Sequence, residues 1–447
     1  MKRILFILLT TFSFATVINI PDDYSTIQGG IDASADGDTV LVQAGTYYEN
    51  ININNSNITL ASLFITSADL SYISQTIIDG NHNGRVIYNN YNGTKIIGLT
   101  IQNGLQSQGG GIHLGNCIDV VISNNIIRDN DASQGGGGNF GGGLHIQNSS
   151  VDIINTQFID NVATEGGGVA LQFLHQSQIG NIINFIECSF DGNNTNYGLN
   201  GGEHVFFVYN YNINDYHSKI NFVNNSFLNS NGSAINIEQS QDIEVNFDTC
   251  TFAFNQNSIW VESSNEIMSS INNCTFYSDF DGDYQTTSVC NNCEININNS
   301  IFSGAYNEYY RHIGEIVDND GNGLLLEFNI EASVISEDPM YINSQYGNFN
   351  LQFGSPAIDS GDPDNNGDGI TWVNDPDDQD PDGTRMDIGA FYFHQTFGCN
   401  DPFAINYNPE ATTDNGSCDY IGCTDLIAIN YDPFATIDSG DCYYLSD

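Results

Sequence analysis

Carboxylates and imidazoles recur in this chain at repeat spacing. Asp129 and Asp160 hold the same place in two successive copies of an Ile/Phe-rich unit, and His113 and His145 hold the same place in two copies of a unit led by Gly-Gly-Gly. Two carboxyls about 5 to 9.5 Å apart can share the duties of glycoside hydrolysis. Stacking of the repeats would bring Asp129 beside Asp160 and His113 beside His145, so that all four could line one cleft. If the two carboxylates touch, their repulsion calls for a shared proton or a cation between them. Repetition by itself also puts like residues in columns, with no chemistry attached.

A second donor set follows later. Asp364-Asn365-Asn366-Gly367-Asp368-Gly369, with Asp375 eleven residues after Asp364, places side-chain oxygens at positions 1, 3 and 5, a turn glycine at 6, the backbone carbonyl of Ile370 at 7 and an acid at 12. That is the ligand set of an EF-hand or dockerin-like calcium loop, here without evident flanking helices. Its plain alternative is an acidic, solvated linker. A third set is aromatic: the longest insertion between repeats carries Tyr197, Phe207, Tyr209, Tyr211 and Tyr216. Such rings can stack on sugars while nearby Asn and Asp bind hydroxyls, or they can pack the insertion onto its own scaffold.

The elements that must position these groups are short. The unit Ile/Phe-x-Asn-Asn/Cys-x-Ile/Phe-x-x-Asn recurs, and its last large apolar residue forms a column of Ile101, Ile127, Phe158, Phe190, Phe227, Phe252, Phe276 and Ile301, most often 24 to 26 residues apart. Each period therefore holds two or three strands of about four residues, too short for hairpins but regular enough to stack coil on coil. The expected fold is all-β, a right-handed parallel β-helix with like side chains in columns about 4.8 Å apart. Glycine triplets suit corners of positive φ. Asparagines at Asn130, Asn161, Asn193 and Asn255 can bond along their column. His113 and His145 point away from the core, because Ile112, Leu114, Leu144 and Ile146 take the inward places. Cys188, Cys250 and Cys274 share an inward column with Asn125, Thr156, Asn225 and Asn299, where parallel side chains suit a disulfide badly.

At the start of the solenoid, Ser25 or Thr26 can cap a helical turn bearing Ile27 and Ile31, followed by Gly37-Asp38-Thr39-Val40-Leu41-Val42-Gln43-Ala44-Gly45-Thr46-Tyr47. This resembles the opening of pectate-lyase-like β-helix proteins. The resemblance extends to about residue 305 and implies the fold, which hosts lyases, glycosidases, esterases, adhesins and inert surface proteins alike. The lyases of that fold use Arg or Lys on a uronate, and no such cluster is visible here. The Asn-Thr-Asp, Asp-Asp, Gly-His-Gly and Arg-Ile-Lys series of its polygalacturonase-type members is missing too.

Past about residue 335 the pattern changes. Gly354 to Asp362 and Asp382 to Phe391 resemble the choice-of-anchor segment of bacterial surface β-helix proteins, which implies export and attachment. Two tandem units of period 24 close the sequence, each with cysteines 19 apart. Units this small need a staple, so one disulfide is expected in each, Cys399 to Cys418 and Cys423 to Cys442. They resemble the "GCTDPxAxNY" repeats of exported bacterial surface proteins. The expected division is a signal peptide over 1–15, the β-helix with its cap over 16–335, the acidic anchor-like segment over 336–395 and the stapled repeats over 396–447.

Charge narrows the partners. With 8 basic against 55 acidic residues in 447, the net charge is −47. Nucleic acid is excluded, because binding it relies on Lys and Arg displacing counterions. Anionic polysaccharide is disfavoured unless metal ions bridge the surfaces. No segment after the signal peptide has the run of about 18 apolar residues of a membrane helix. The sequence thus reads as a secreted or cell-surface binding or adhesive module for neutral polysaccharide or cell-surface glycan, with calcium stiffening its C-terminal part. A polysaccharide hydrolase, or less readily a lyase, is the alternative.

Overall fold

The computed structural model describes residues 15–55, 57–134, 138–174, 180–195, 204–210, 217–230, 232–238, 240–255, 257–262, 264–278, 290–291, 293–304, 326–331 and 338–445. The signal-peptide expectation at 1–15 falls almost wholly outside them, as do Tyr197, Tyr211 and Tyr216. The chain forms two compact units, Met1–Asp338 with Ile388–Ala390, and Pro339–Asp387 with Phe391–Asp447.

The first unit is a parallel coil. Each turn of chain contributes a strand to sheet A, bends, gives a strand to sheet B, crosses a longer connection and returns through sheet C. Among the described residues the three sheets hold 13, 10 and 8 strands. Register is kept from coil to coil, as in Ile122↔Ile153↔Phe185↔Phe222↔Phe247. Ladders of this kind bury one face of every strand, and the inward residues make one continuous apolar core from Ile18 to Ile297. The helix Ile27–Ala33 closes the coil's first end. Thr26 accepts the Gly29 N–H, and the Glu49 carboxylate takes the Ile27 and Gln28 N–H groups at 2.9 and 3.0 Å, so the helix N-terminus is satisfied by its own cap and by the next coil. A strand, Val17–Ile20, precedes this helix and pairs with Thr39–Val42, so the sheet begins before its cap.

Columns supply the axial glue. Phe158, Phe190, Phe227, Phe252, Phe276 and Phe302 stack nearly parallel at 4.4 to 4.9 Å. The column thus ends on Phe302, not Ile301, and Ser300 rather than Asn299 sits beneath Cys274. The reason is the bend between sheets A and B. Asn273 and Asn299 both occupy it with positive φ, as Asn124, Asn155 and Asn224 do in earlier coils, so Ser300 and Phe302 take the places of Cys274 and Phe276 while Ile301 takes that of Thr275. Cys117, Cys188, Cys250 and Cys274 are free and buried. Asn130, Asn161 and Asn193 bond to one another as a buried ladder. Within the triplet Gly141-Gly142-Gly143 only Gly141 has positive φ. Gly142 is needed for close stacking, since a Cβ there would lie 2.4 Å from the Gly167 carbonyl oxygen of the next coil.

The second unit holds an antiparallel pair, Tyr341–Asn343 with Asn348–Leu351. Its two terminal repeats are stapled by Cys399–Cys418 and Cys423–Cys442, as the cysteine spacing implied. They also share an internal bond: the Tyr420 hydroxyl donates to Asp401 at 2.6 Å, and that of Tyr444 to Asp425 at 2.8 Å. No helix among the described residues is long and apolar enough to cross a membrane.

Candidate functional site

Asp129 and Asp160 stand where the chain leaves sheet B, both exposed and both at positive φ. Their column explains the residue type. Asn103, Asp129, Asp160, Gly192 and Asn229 follow one another at this corner, and all have positive φ. Gly, Asn and Asp are the residues that tolerate it best. Partial burial, then repulsion from Asp129 and Asp191, raises the Asp160 carboxyl above its ordinary range. Asp129 lies 3.7 Å from the Arg128 guanidinium, which also donates to Gln102, and Asp191 accepts from Asn229 at 2.6 Å.

His113 and His145 belong to sheet C and do not meet this carboxylate pair. They face away from the core, as the alternation requires, yet they are covered: His113 is 5% exposed and His145 0%. Phe140 is laid over the sheet by bridges to Gln108 and Glu165. It stacks on His145 at 5.8 Å and on Phe207 at 5.9 Å. Tyr88 stacks on His113 at 5.3 Å, and Arg85 sits over the Tyr88 ring. The two imidazoles touch through Nδ1 at 3.0 Å, and His145 Nε2 has no hydrogen-bond partner among the described residues. Burial, reinforced by Arg85, lowers His113 to about 3 and holds His145 well below its ordinary value, His113 adding to the latter. These are neutral, roofed rings, not surface acids or bases. One carboxyl of this neighbourhood that sequence reasoning passed over, Glu165, is pushed up to about 7 by burial and by Glu238.

Of the aromatic set, Phe207 is buried at 3% exposure under Phe140, so it packs instead of presenting a face. Tyr209 is half-buried and lies 6.3 Å from Phe207. A more regular polar surface lies on the outer face of sheet A. Asn184 donates to Asp152 at 2.7 Å, Asn221 to Asn184 at 2.8 Å, Asn246 to Asn221 at 3.1 Å and Ser270 to Asn246 at 2.7 Å. All five side chains are half-buried. The signal was present in the sequence as an Asn between two inward apolar residues, in Ile183-Asn184-Phe185, Ile220-Asn221-Phe222 and Val245-Asn246-Phe247. Beside it Glu244 binds Lys219 at 2.7 Å and His217 at 3.2 Å. Lys219 foremost draws the Glu244 carboxyl down to about 2.

The acidic loop of the second unit folds on itself. Gly369 N–H donates to Asp364 Oδ2 at 3.0 Å, Asp368 N–H to Asn366 Oδ1 at 3.0 Å and Ile370 N–H to Asp368 Oδ1 at 2.7 Å. Asp375 caps the 3-10 turn Pro376–Asp378 through the Asp377 N–H and also accepts from Asn366 Nδ2 at 3.1 Å. Among the described residues no three His, Cys, Asp or Glu are gathered for a metal ion, so any fit to calcium depends on mixed donors, including Asn366 and a backbone carbonyl. Two orphaned oxygens meet that test: Asp364 Oδ1 and Asp378 Oδ2 are both buried without a hydrogen-bond partner. Asp378 was not among the residues singled out from the sequence. It has no exposed surface. Burial first, then Asp375 and Asp364, raises its carboxyl.

No family model matches the sequence, and no curated protein matches it. Solved structures do. A pectate lyase, Pel9A, aligns over 86% of this chain and 98% of its own, at 13% identity and a TM-score of 0.51. The chain shares the parallel β-helix fold of that structure. An alginate lyase from Paenibacillus sp. str. FPU-7 covers 71% of this β-helix protein and 99% of itself, at 12% identity and a TM-score of 0.46. PfbA, a surface adhesin of Streptococcus pneumoniae, covers 70% and 82%, at 14% identity and a TM-score of 0.44. At these identities the likeness is one of fold.

Proposed function

We propose that this β-helix is an exported, surface-associated binding module for neutral glycan, contacting its ligand along the outer face of sheet A, with calcium ordering the acidic loop of the second unit. The observation that carries the reading is the half-buried ladder from Asp152 to Ser270. It repeats donors and acceptors at the strand spacing of about 4.8 Å. Asn184 and Asn221 each have one N–H and one lone pair beyond those used within the ladder, which suits the hydroxyls of an extended sugar chain, while the second N–H of Asn246 is taken by Glu244. A net charge of −47 favours an uncharged ligand over an anionic one. Calcium would be held by the oxygens of the Asp364 loop, where it would neutralise clustered carboxylates.

The test is co-sedimentation of the purified chain with insoluble neutral polysaccharides, alongside assay for new reducing ends. The double substitution Asn221→Leu with Asn246→Leu keeps strand-compatible side chains and removes four ladder groups. At about 1 kcal/mol per lost bond it should weaken binding by about tenfold or more. No binding by the unaltered chain to any neutral polysaccharide would sink the proposal. Release of reducing ends that Asp160→Asn abolishes would replace it with a hydrolase.

A further inference from the structure

Asp378 lies twelve residues beyond Asn366 and reaches back into the acidic loop. Its Oδ1 accepts the Asn366 N–H at 3.2 Å, the Asn365 N–H also faces the carboxylate, and its Oδ2 makes no hydrogen bond of good geometry. Asp364 is in the same state: Oδ2 accepts the Gly369 N–H, and Oδ1 is buried and unpartnered. Asp375, which occupies the twelfth position of the calcium-loop pattern, differs. Its Oδ1 accepts the Asp377 N–H at 3.0 Å and its Oδ2 the Asn366 side-chain amide at 3.1 Å, so both of its oxygens are engaged. Leaving one carboxylate oxygen buried without a donor is costly, and two from neighbouring carboxylates also repel. A bridging water would supply hydrogen bonds but would leave the repulsion in place. A hard divalent cation removes both costs at once.

We propose that Asp378 is a direct calcium ligand that closes the loop together with Asp364, and that Asp375 is a positioning residue holding Asn366 and the 3-10 turn in place. The inference rests on the calcium reading above and changes its ligand set. Pro376 forces the turn that follows Asp375, and that turn carries the next inward carboxylate, Asp378, beneath the loop. The donors are oxygens only, with no sulfur or imidazole, which suits calcium over zinc. Asn366 Oδ1, the Ile370 carbonyl and water remain to complete the shell.

The test uses the full chain and two probes, calcium by titration calorimetry and terbium by luminescence sensitised through Trp372, whose backbone N–H is tied to the Pro363 carbonyl at the loop's base. Asp378→Asn should weaken calcium binding on the order of 100-fold. It should also raise the melting temperature of the metal-free protein, because it removes a repelled charge. A purely structural role would lower both, and that result would overturn the proposal. Asp375→Asn should cost only about tenfold, as an outer-shell change, and the exposed Asp377→Asn nothing. If the Asn variant fails to fold, Asp378→Ser reads the same loss. Affinity unchanged in Asp378→Asn but lost in Asp364→Asn would overturn this ligand set and leave the calcium loop standing. Absence of calcium and terbium binding in the unaltered protein would overturn both.

Discussion

Replacing Asn161 by Ala should destabilise the coil by about 3 kcal/mol. The side chain is fully buried. Its Oδ1 accepts the Asn130 backbone N–H at 3.1 Å and the Asn130 side-chain amide at 3.0 Å. Its Nδ2 donates to the Ile127 carbonyl at 2.8 Å and to Asn193 Oδ1 at 2.9 Å. The two side-chain neighbours keep other bonds, Asn130 Nδ2 to the Ile101 carbonyl and Asn193 Oδ1 from the Asn161 N–H. The Asn130 N–H loses its partner, while the Ile127 carbonyl loses one bond and keeps its place in the sheet B ladder. One buried backbone N–H stripped of its partner, at about 1 to 3 kcal/mol, and the lost bond to Ile127, at about 1 kcal/mol, give the stated size. Urea unfolding followed by circular dichroism measures it as a shift in midpoint at constant slope. Asn155→Gly serves as the control, because Asn155 is an exposed corner residue at positive φ that glycine tolerates. If Asn161→Ala cost no more than that control, the ladder would not be holding the coils together and the reasoning would fail.

Two further outcomes follow from the burial of charge and the small size of the terminal repeats. With the His113 and His145 pKa values depressed, the unfolded chain binds protons below about pH 6.5 that the folded chain refuses. Stability should therefore fall as the pH drops from about 6.5 toward 3. His145→Leu should flatten the melting temperature between pH 6.5 and 5 relative to the unaltered chain, and an unchanged slope would show that the roof over the rings is open. Cys399→Ser with Cys418→Ser removes a staple closing 19 residues, a loop worth about 3 kcal/mol. Limited proteolysis should then cut the first terminal repeat while the second, held by Cys423–Cys442, persists.

Much of this architecture is legible in the residues alone. Period, inward alternation, the Phe column, the Asn ladder, the cap at Thr26 and the cysteine pairing are all local or near-periodic features, and a solenoid repeats its local rules in every coil. At the last of these coils the column falls on Phe302 and not Ile301, because Ile297 and Asn299 keep the register of Ile271 and Asn273. What lies over an outward face is not local at all. Alternation sets His113 and His145 on the outside, and only the course of the connection carrying Phe140 decides that they are roofed and neutral. The same holds for Asp378, whose spacing from Asp364 fits no loop pattern. It becomes a candidate ligand because the turn at Pro376 folds it under the loop and leaves one of its oxygens without a donor.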